Sequence, residues 1–292
     1  MEIEYEIKTM KQLDNFINYL TDRKILYMAA DSQPSMTPEI KRIYDMFYQV
    51  RQAESAEQAL DLYRSILDLA PNFVAARYNM ANLMRKNGIL EEALDQYILA
   101  AQYNPKDPSI FIEIGTVLVG LGNKEKAIES YLYVLEITSE NDLSGKSLST
   151  RWLAMLNIGV NYRELRKYGE SLEWLKKALS WVNRYSKSAF SNAWDSEFVA
   201  AYLEIGSLYR EMNKIEECEE MYLLGAGIAE KSNSLDPDLR TDETYIWHYL
   251  GIIYLDRGKW EDAEFYFKKA LARNPYEAEF LNALEKARKE NA

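Results

Sequence analysis

Side chains that could carry out chemistry are few in this chain and poorly spaced for it. His248 is the only histidine and Cys218 the only cysteine, so neither a His/Cys metal-ligand set nor a nucleophile–histidine–acid triad can be assembled, and no internal disulfide can form. No glycine-rich phosphate loop, nucleophile elbow or metal-binding helix motif occurs. Carboxylates are abundant, as in Glu91-Glu92, Glu216-Glu217 and Glu219-Glu220. They fall early in predicted helices, where anionic side chains complement the helix dipole and face water. No catalytic, cofactor or metal role is assigned to any residue, and the chain reads as non-enzymatic. The functional groups that remain recognise rather than react. Foremost among them are the 22 tyrosines, because a rigid amphipathic ring loses little entropy on anchoring an interface.

Composition narrows the elements that must position these groups. The 292 residues hold 35 Lys+Arg against 46 Asp+Glu, a net charge of −11, which disfavours a nucleic-acid surface that must neutralise phosphates. With 48% hydrophobic residues the chain can bury a core, and 12 Gly with 7 Pro is too few for a turn-dense β architecture. The start, MEIEYEIKTMKQLD, has no apolar run, and no stretch of about 18 consecutive apolar residues occurs. A cytoplasmic protein that does not insert into membranes is expected.

The chain repeats itself. Near its end it reads Trp247-x2-Leu250-Gly251-x2-Tyr254, then Ala263-x3-Phe267, then Pro275. The same frame returns as Met80-Ala81-x2-Met84, Ala93-x3-Tyr97, Ala100, Pro105, and 34 residues earlier as Met46-Phe47-x2-Val50, Ala59-x3-Tyr63, Ile66, Pro71. A third unit follows with Ile114-Gly115, Ala127 and Tyr131, and three longer units centre on Gly159, Gly206 and Gly251. Their extra residues, around 140–146, 184–195 and 231–243, are expected between the second helix of one unit and the first of the next. From Glu39 to Pro275 the chain resembles the tetratricopeptide-repeat family, the later units being similar to the longer variety found in kinesin light chains and bacterial peptide sensors.

Small residues at Ala81, Gly115, Gly159, Gly206 and Gly251 would let each first helix approach its partner, with Ala59, Ala93, Ala127, Ser171, Cys218 and Ala263 doing the same from the second. Gly88, Gly122, Asn213 and Gly258 supply the left-handed turn within a hairpin. The expected fold is all-α, a right-handed superhelix of antiparallel helix hairpins, with six hairpins at about 40–73, 74–107, 108–141, 152–185, 199–232 and 244–277. Residues 276–292 read as a capping helix whose stripe is Ala278, Leu281, Leu284 and Ala287. Residues 1–37 read as a strand and helix docking on the solenoid, since Ile3, Tyr5 and Ile7 alternate with charged residues.

In the resembling superhelix the first helices form the concave wall. That rule places Tyr44, Tyr48 and Arg51, then Tyr78, Asn79, Asn82 and Arg85, on the wall from the first two units. It adds Glu113, then Asn157 and Arg163, then Glu204, Ser207 and Arg210, and finally Tyr245, His248 and Tyr249. Arginine holds the twelfth place in four units (Arg51, Arg85, Arg163, Arg210), a basic row that would either meet a ligand or pair with neighbouring acids. Co-chaperones of this family clamp terminal carboxylates with Lys, Asn and Arg; here the corresponding places are Tyr44, Tyr48, Asn79, Ser109 and Glu113, so that clamp is absent. The resemblance implies a protein-interaction scaffold binding an extended, acidic peptide or protein segment in the groove. The alternatives are a peptide-gated regulatory sensor and a structural protein dimerising through residues 1–8.

Overall fold

A computed structural model describes residues 38–140, 145–186, 195–232 and 237–290. The expected N-terminal strand and helix and the dimer contact through residues 1–8 lie outside these residues. The described residues form thirteen helices and no strand, and the chain divides after Thr138 into two compact units. Unit 1 holds the hairpins α1 (Pro38–Arg51) with α2 (Ala56–Leu69), α3 (Val74–Lys86) with α4 (Leu90–Tyr103), and α5 (Pro108–Gly120) with α6 (Lys124–Ile137). Unit 2 holds α7 (Gly145–Glu164) with α8 (Tyr168–Ser186), α9 (Asp195–Glu211) with α10 (Ile215–Ala229), and α11 (Pro237–Asp256) with α12 (Trp260–Arg273), followed by α13 (Ala278–Glu290). Among the described residues no helix is long and apolar enough to cross a membrane.

Local signals set the helix ends. The helices α2, α4 and α12 stop two residues before Pro71, Pro105 and Pro275, because the residue ahead of a proline is pushed out of the helical region. Ser55, Asp107 and Asn123 cap α2, α5 and α6 by accepting from the backbone N–H of Gln58, Ser109 and Lys126. Gly88, Gly122, Gly258 and Asn213 all have positive φ, as expected, and in the fourth hairpin Arg166 does so too, at 58°. For a residue with a Cβ that conformation costs about 1–2 kcal/mol.

The two helices of a hairpin meet where the small residues lie. A methyl group on Gly115 would sit 2.5 Å from the Tyr131 ring, on Gly159 2.7 Å from Leu175, and on Gly251 2.5 Å from the Phe267 ring; Gly206 faces Tyr222 in the same way. Opposite them Ala93, Ala127, Ser171, Cys218 and Ala263 are fully buried. Burial pushes the Cys218 thiol up to about 11, so it is an inert core filler.

Two expectations change. Part of the additional residues of unit 2 goes into helix, since α7, α9 and α11 begin at Gly145, Asp195 and Pro237. The reason is visible in the added turns. Leu148 and Arg151 of α7 are buried against α8, where the Trp181 indole N–H donates to the Leu148 carbonyl (3.1 Å) and the Arg151 guanidinium lies 5.0 Å from the Trp181 ring. In α11 the buried Glu243 carboxylate accepts from Arg240 at 3.0 Å and lies 3.7 Å from Arg273. The second change concerns the cap, which buries Phe280, Leu284 and Ala287 and leaves Leu281 exposed. The larger Phe280 ring wins because it fills space beside His248 and Tyr245 on α11.

Candidate functional site

In unit 1 the face of the first helices carries Tyr48, Tyr78, Asn82, Arg85 and Glu113. Tyr48 on α1 stands in solvent, 63% exposed; the Tyr44 side chain lies outside what is described. Arg51 is exposed at the end of α1 and is not free of partners. The Tyr78 ring meets Tyr97 edge-on with centroids 5.7 Å apart, and the Tyr97 hydroxyl donates to Asn82 Oδ1 at 2.6 Å. Arg85 Nε lies 3.2 Å from Glu113 Oε2. Burial pushes Tyr78 up to about 12, helped by the Glu113 charge, and also raises Glu113 although Arg85 opposes it. The desolvation of Glu113 therefore outweighs the attraction of its partner. Asn79 lies deeper than expected: its side chain is buried, only 8% exposed.

In unit 2 Asn157 is half-buried and its carbonyl accepts from Asn161 Nδ2 at 2.8 Å. Arg163 pairs with Glu204 and, at 3.3 Å, with Glu211. Burial raises the Glu204 carboxyl despite Arg163. Arg210 lies 4.2 Å from the centre of the Tyr249 ring. Tyr249 stacks on Tyr222 (5.6 Å) and on Tyr245 (6.4 Å), and Tyr245 is 40% exposed.

His248 is the second correction. Expected on the wall, it is only 1% exposed, with its ring against Phe280 (4.5 Å) and Phe267 (5.7 Å). Its Nε2 reaches Glu279 Oε1 on α13 at 3.1 Å, while Nδ1 has no hydrogen-bond partner. Burial holds this imidazole below its ordinary value of 6.5 against the pull of Glu279. The capping helix therefore covers what the sequence left open.

One register joins these contacts. Arg85–Glu113, Arg163–Glu204 and Arg210–Tyr249 each link the twelfth place of one hairpin to the sixth place of the next. Three of the four arginines of the row thus form rungs between successive first helices, and two of these rungs neutralise their own charge. Tyr97 and Tyr222, buried beneath the first helices, and Glu279, which reaches His248, contact candidate residues although sequence reasoning did not select them. Comparing place twelve with place six of the following unit would have exposed the rungs, whereas nothing marked Glu279.

Family models of the tetratricopeptide repeat match residues 50–112, 108–141, 153–180, 199–232 and 244–277, together more than half of the chain. The chain belongs to the tetratricopeptide-repeat family. Human protein O-mannosyl-transferase TMTC3 is 24% identical over 221 residues, 75% of this chain and 22% of that protein. Human tetratricopeptide repeat protein 16 is 22% identical over 210 residues, 71% of this chain and 22% of that one. This tetratricopeptide-repeat protein therefore spans about a fifth of the length of these relatives. PilW, a type IV pilus biogenesis factor, superposes with a TM-score of 0.60 at 16% identity, covering 84% of this chain and 98% of PilW. BtubC from P. vanneervenii gives 0.59 at 19% identity, covering 82% and 92%. At these identities the likeness is one of fold, and function must come from the residues of the faces themselves.

Proposed function

We propose that this tetratricopeptide-repeat protein is a non-enzymatic interaction scaffold that binds an extended, acidic protein or peptide segment on its first-helix faces. The observation that carries this reading is the pair of exposed tyrosines. Tyr48 in unit 1 and Tyr245 in unit 2 are exposed on first helices, and Tyr245 stacks on Tyr249, the ring that lies against Arg210. An exposed ring on a rigid helix anchors a partner at low entropic cost, and amide and guanidinium groups nearby can satisfy an extended backbone and its acidic side chains. Asn79 and His248 are left out of the binding surface because they are buried.

The test is an affinity capture from source-cell extract with wild-type protein beside a Tyr48→Ala/Tyr245→Ala variant. Both side chains are exposed, so the variant should fold as the wild type does. Proteins captured by the wild type and lost with the variant are the expected result. Capture of every protein equally by both overturns the reading.

A further inference from the structure

The rungs of unit 2 differ in one residue, and that residue changes what an arginine is free to do. Arg163 ends on two carboxylates, Glu204 and Glu211. Arg210, at the corresponding place one hairpin later, ends on Tyr249. Among the described residues no carboxylate lies within ion-pair distance of Arg210, and its side chain is exposed. A guanidinium lying over an aromatic ring uses its flat face there, so its N–H edge remains available to a planar acceptor. The ring beneath it is fixed. Tyr249 stacks on Tyr222, whose hydroxyl is 3.2 Å from the Ser207 hydroxyl in the core. Tyr245 stacks in turn on Tyr249, and Phe280 lies edge-on to Tyr245 at 6.0 Å.

We infer that Arg210, with Tyr249 beneath it and the half-exposed Tyr245 stacked on Tyr249, forms a subsite for one carboxylate of the partner, an aspartate or glutamate next to an aromatic residue that stacks on Tyr245. This rests on the scaffold reading and narrows it. Arg210 reads the acid, while Arg85 and Arg163 are occupied in holding neighbouring hairpins together. The chemistry differs from the family's terminal-carboxylate clamp, of whose residue set this chain keeps only Asn79. One planar acceptor is engaged edge-on, and the selectivity comes from the adjoining ring.

The experiment is an NMR titration of the full chain with 3-phenylpropionate, which carries a carboxylate and an aromatic ring, and with the neutral amide 3-phenylpropanamide. Arginine side-chain N–H and tyrosine ring signals are followed. The carboxylate is expected to move the Arg210, Tyr245 and Tyr249 signals, to bind about tenfold more tightly than the amide, and to leave Arg85 and Arg163 unmoved. Arg210→Gln should abolish the difference between the two probes. Equal binding of acid and amide, no shift at Arg210, or equal shifts at Arg85 and Arg163 would each overturn the subsite. Affinity capture with Arg210→Gln separates the two levels. A partner lost with the tyrosine variant yet held unchanged by Arg210→Gln removes the subsite and leaves the scaffold, whereas equal capture by the tyrosine variant removes the scaffold reading itself.

Discussion

The first helices of unit 1 run 13 to 14 residues and those of unit 2 run 17 to 20. Both units bring their hairpin helices together in the same way, with Gly115 on Tyr131 in one and Gly251 on Phe267 in the other. The difference lies at the far end of the first helix, where only unit 2 has turns to spare. There it buries ionic groups, Arg151 against Trp181 and Glu243 between Arg240 and Arg273. A repeat thus fixes the close approach at its centre and leaves its ends free to lengthen, provided each added turn finds apolar cover and partners for its charges. The rungs teach a second lesson. Where place six is Glu113 or Glu204 the arginine is neutralised, and where it is Tyr249 the arginine lies against a ring instead of a carboxylate.

Five substitutions probe this comparison. Trp181→Ala removes a buried ring that supports the added turn of α7, and should cost about 3–5 kcal/mol, read as loss of hydrogen-exchange protection in α7 and α8 while α1 to α6 stay protected. Gly115→Ala and Gly251→Ala should each cost about 1–3 kcal/mol by overpacking against a ring that cannot withdraw. Similar losses of urea midpoint in both would sustain the common rule, and a cost confined to one unit would break it.

A third prediction concerns His248. Burial and the nearby Arg210 lower its affinity for a proton, while Glu279 and Glu277 oppose them. The unfolded chain takes up the proton near 6.5 and the folded chain only at lower pH. The stabilisation from the neutral buried ring is therefore complete above that value, and is lost as the pH falls through the folded value. Thermal unfolding at about pH 7.5 and about pH 5.5 should show a drop that His248→Gln reduces. An unchanged pH dependence in the variant would contradict the burial of this ring. The smallest effect is expected from Glu113→Gln, within about 1 kcal/mol, because the cost of desolvating the carboxylate offsets its attraction to Arg85. A larger loss would make the rung a main support of unit 1.

Much of the fold was legible because each signal had a local cause. Gly88, Gly122, Asn213 and Gly258 announced left-handed turns by residue type, and Pro71, Pro105 and Pro275 announced helix ends. Arg166 takes the same turn without any compositional mark. The start of α7 was hidden because its segment, Gly145 to Arg151, is mostly polar, and its burial depends on Trp181 some thirty residues on. The face was legible as a set of places and opaque as a set of contacts. Arg85, Arg163 and Arg210 look alike in sequence, and their different fates are decided by residues 28, 41 and 39 positions away. His248 misled for the same reason, since Phe280, which covers it, belongs to a helix that the sequence showed only as a cap.

The most direct test of the scaffold account is site-specific photo-crosslinking in source-cell extract, with the photoreactive residue placed at Tyr48 or Tyr245 on the first helices, or at Ile98 or Leu132, which are exposed on second helices. The account predicts partner adducts from Tyr48, Tyr245 or both and none from Ile98 or Leu132. Adducts formed only from the second-helix positions would contradict it.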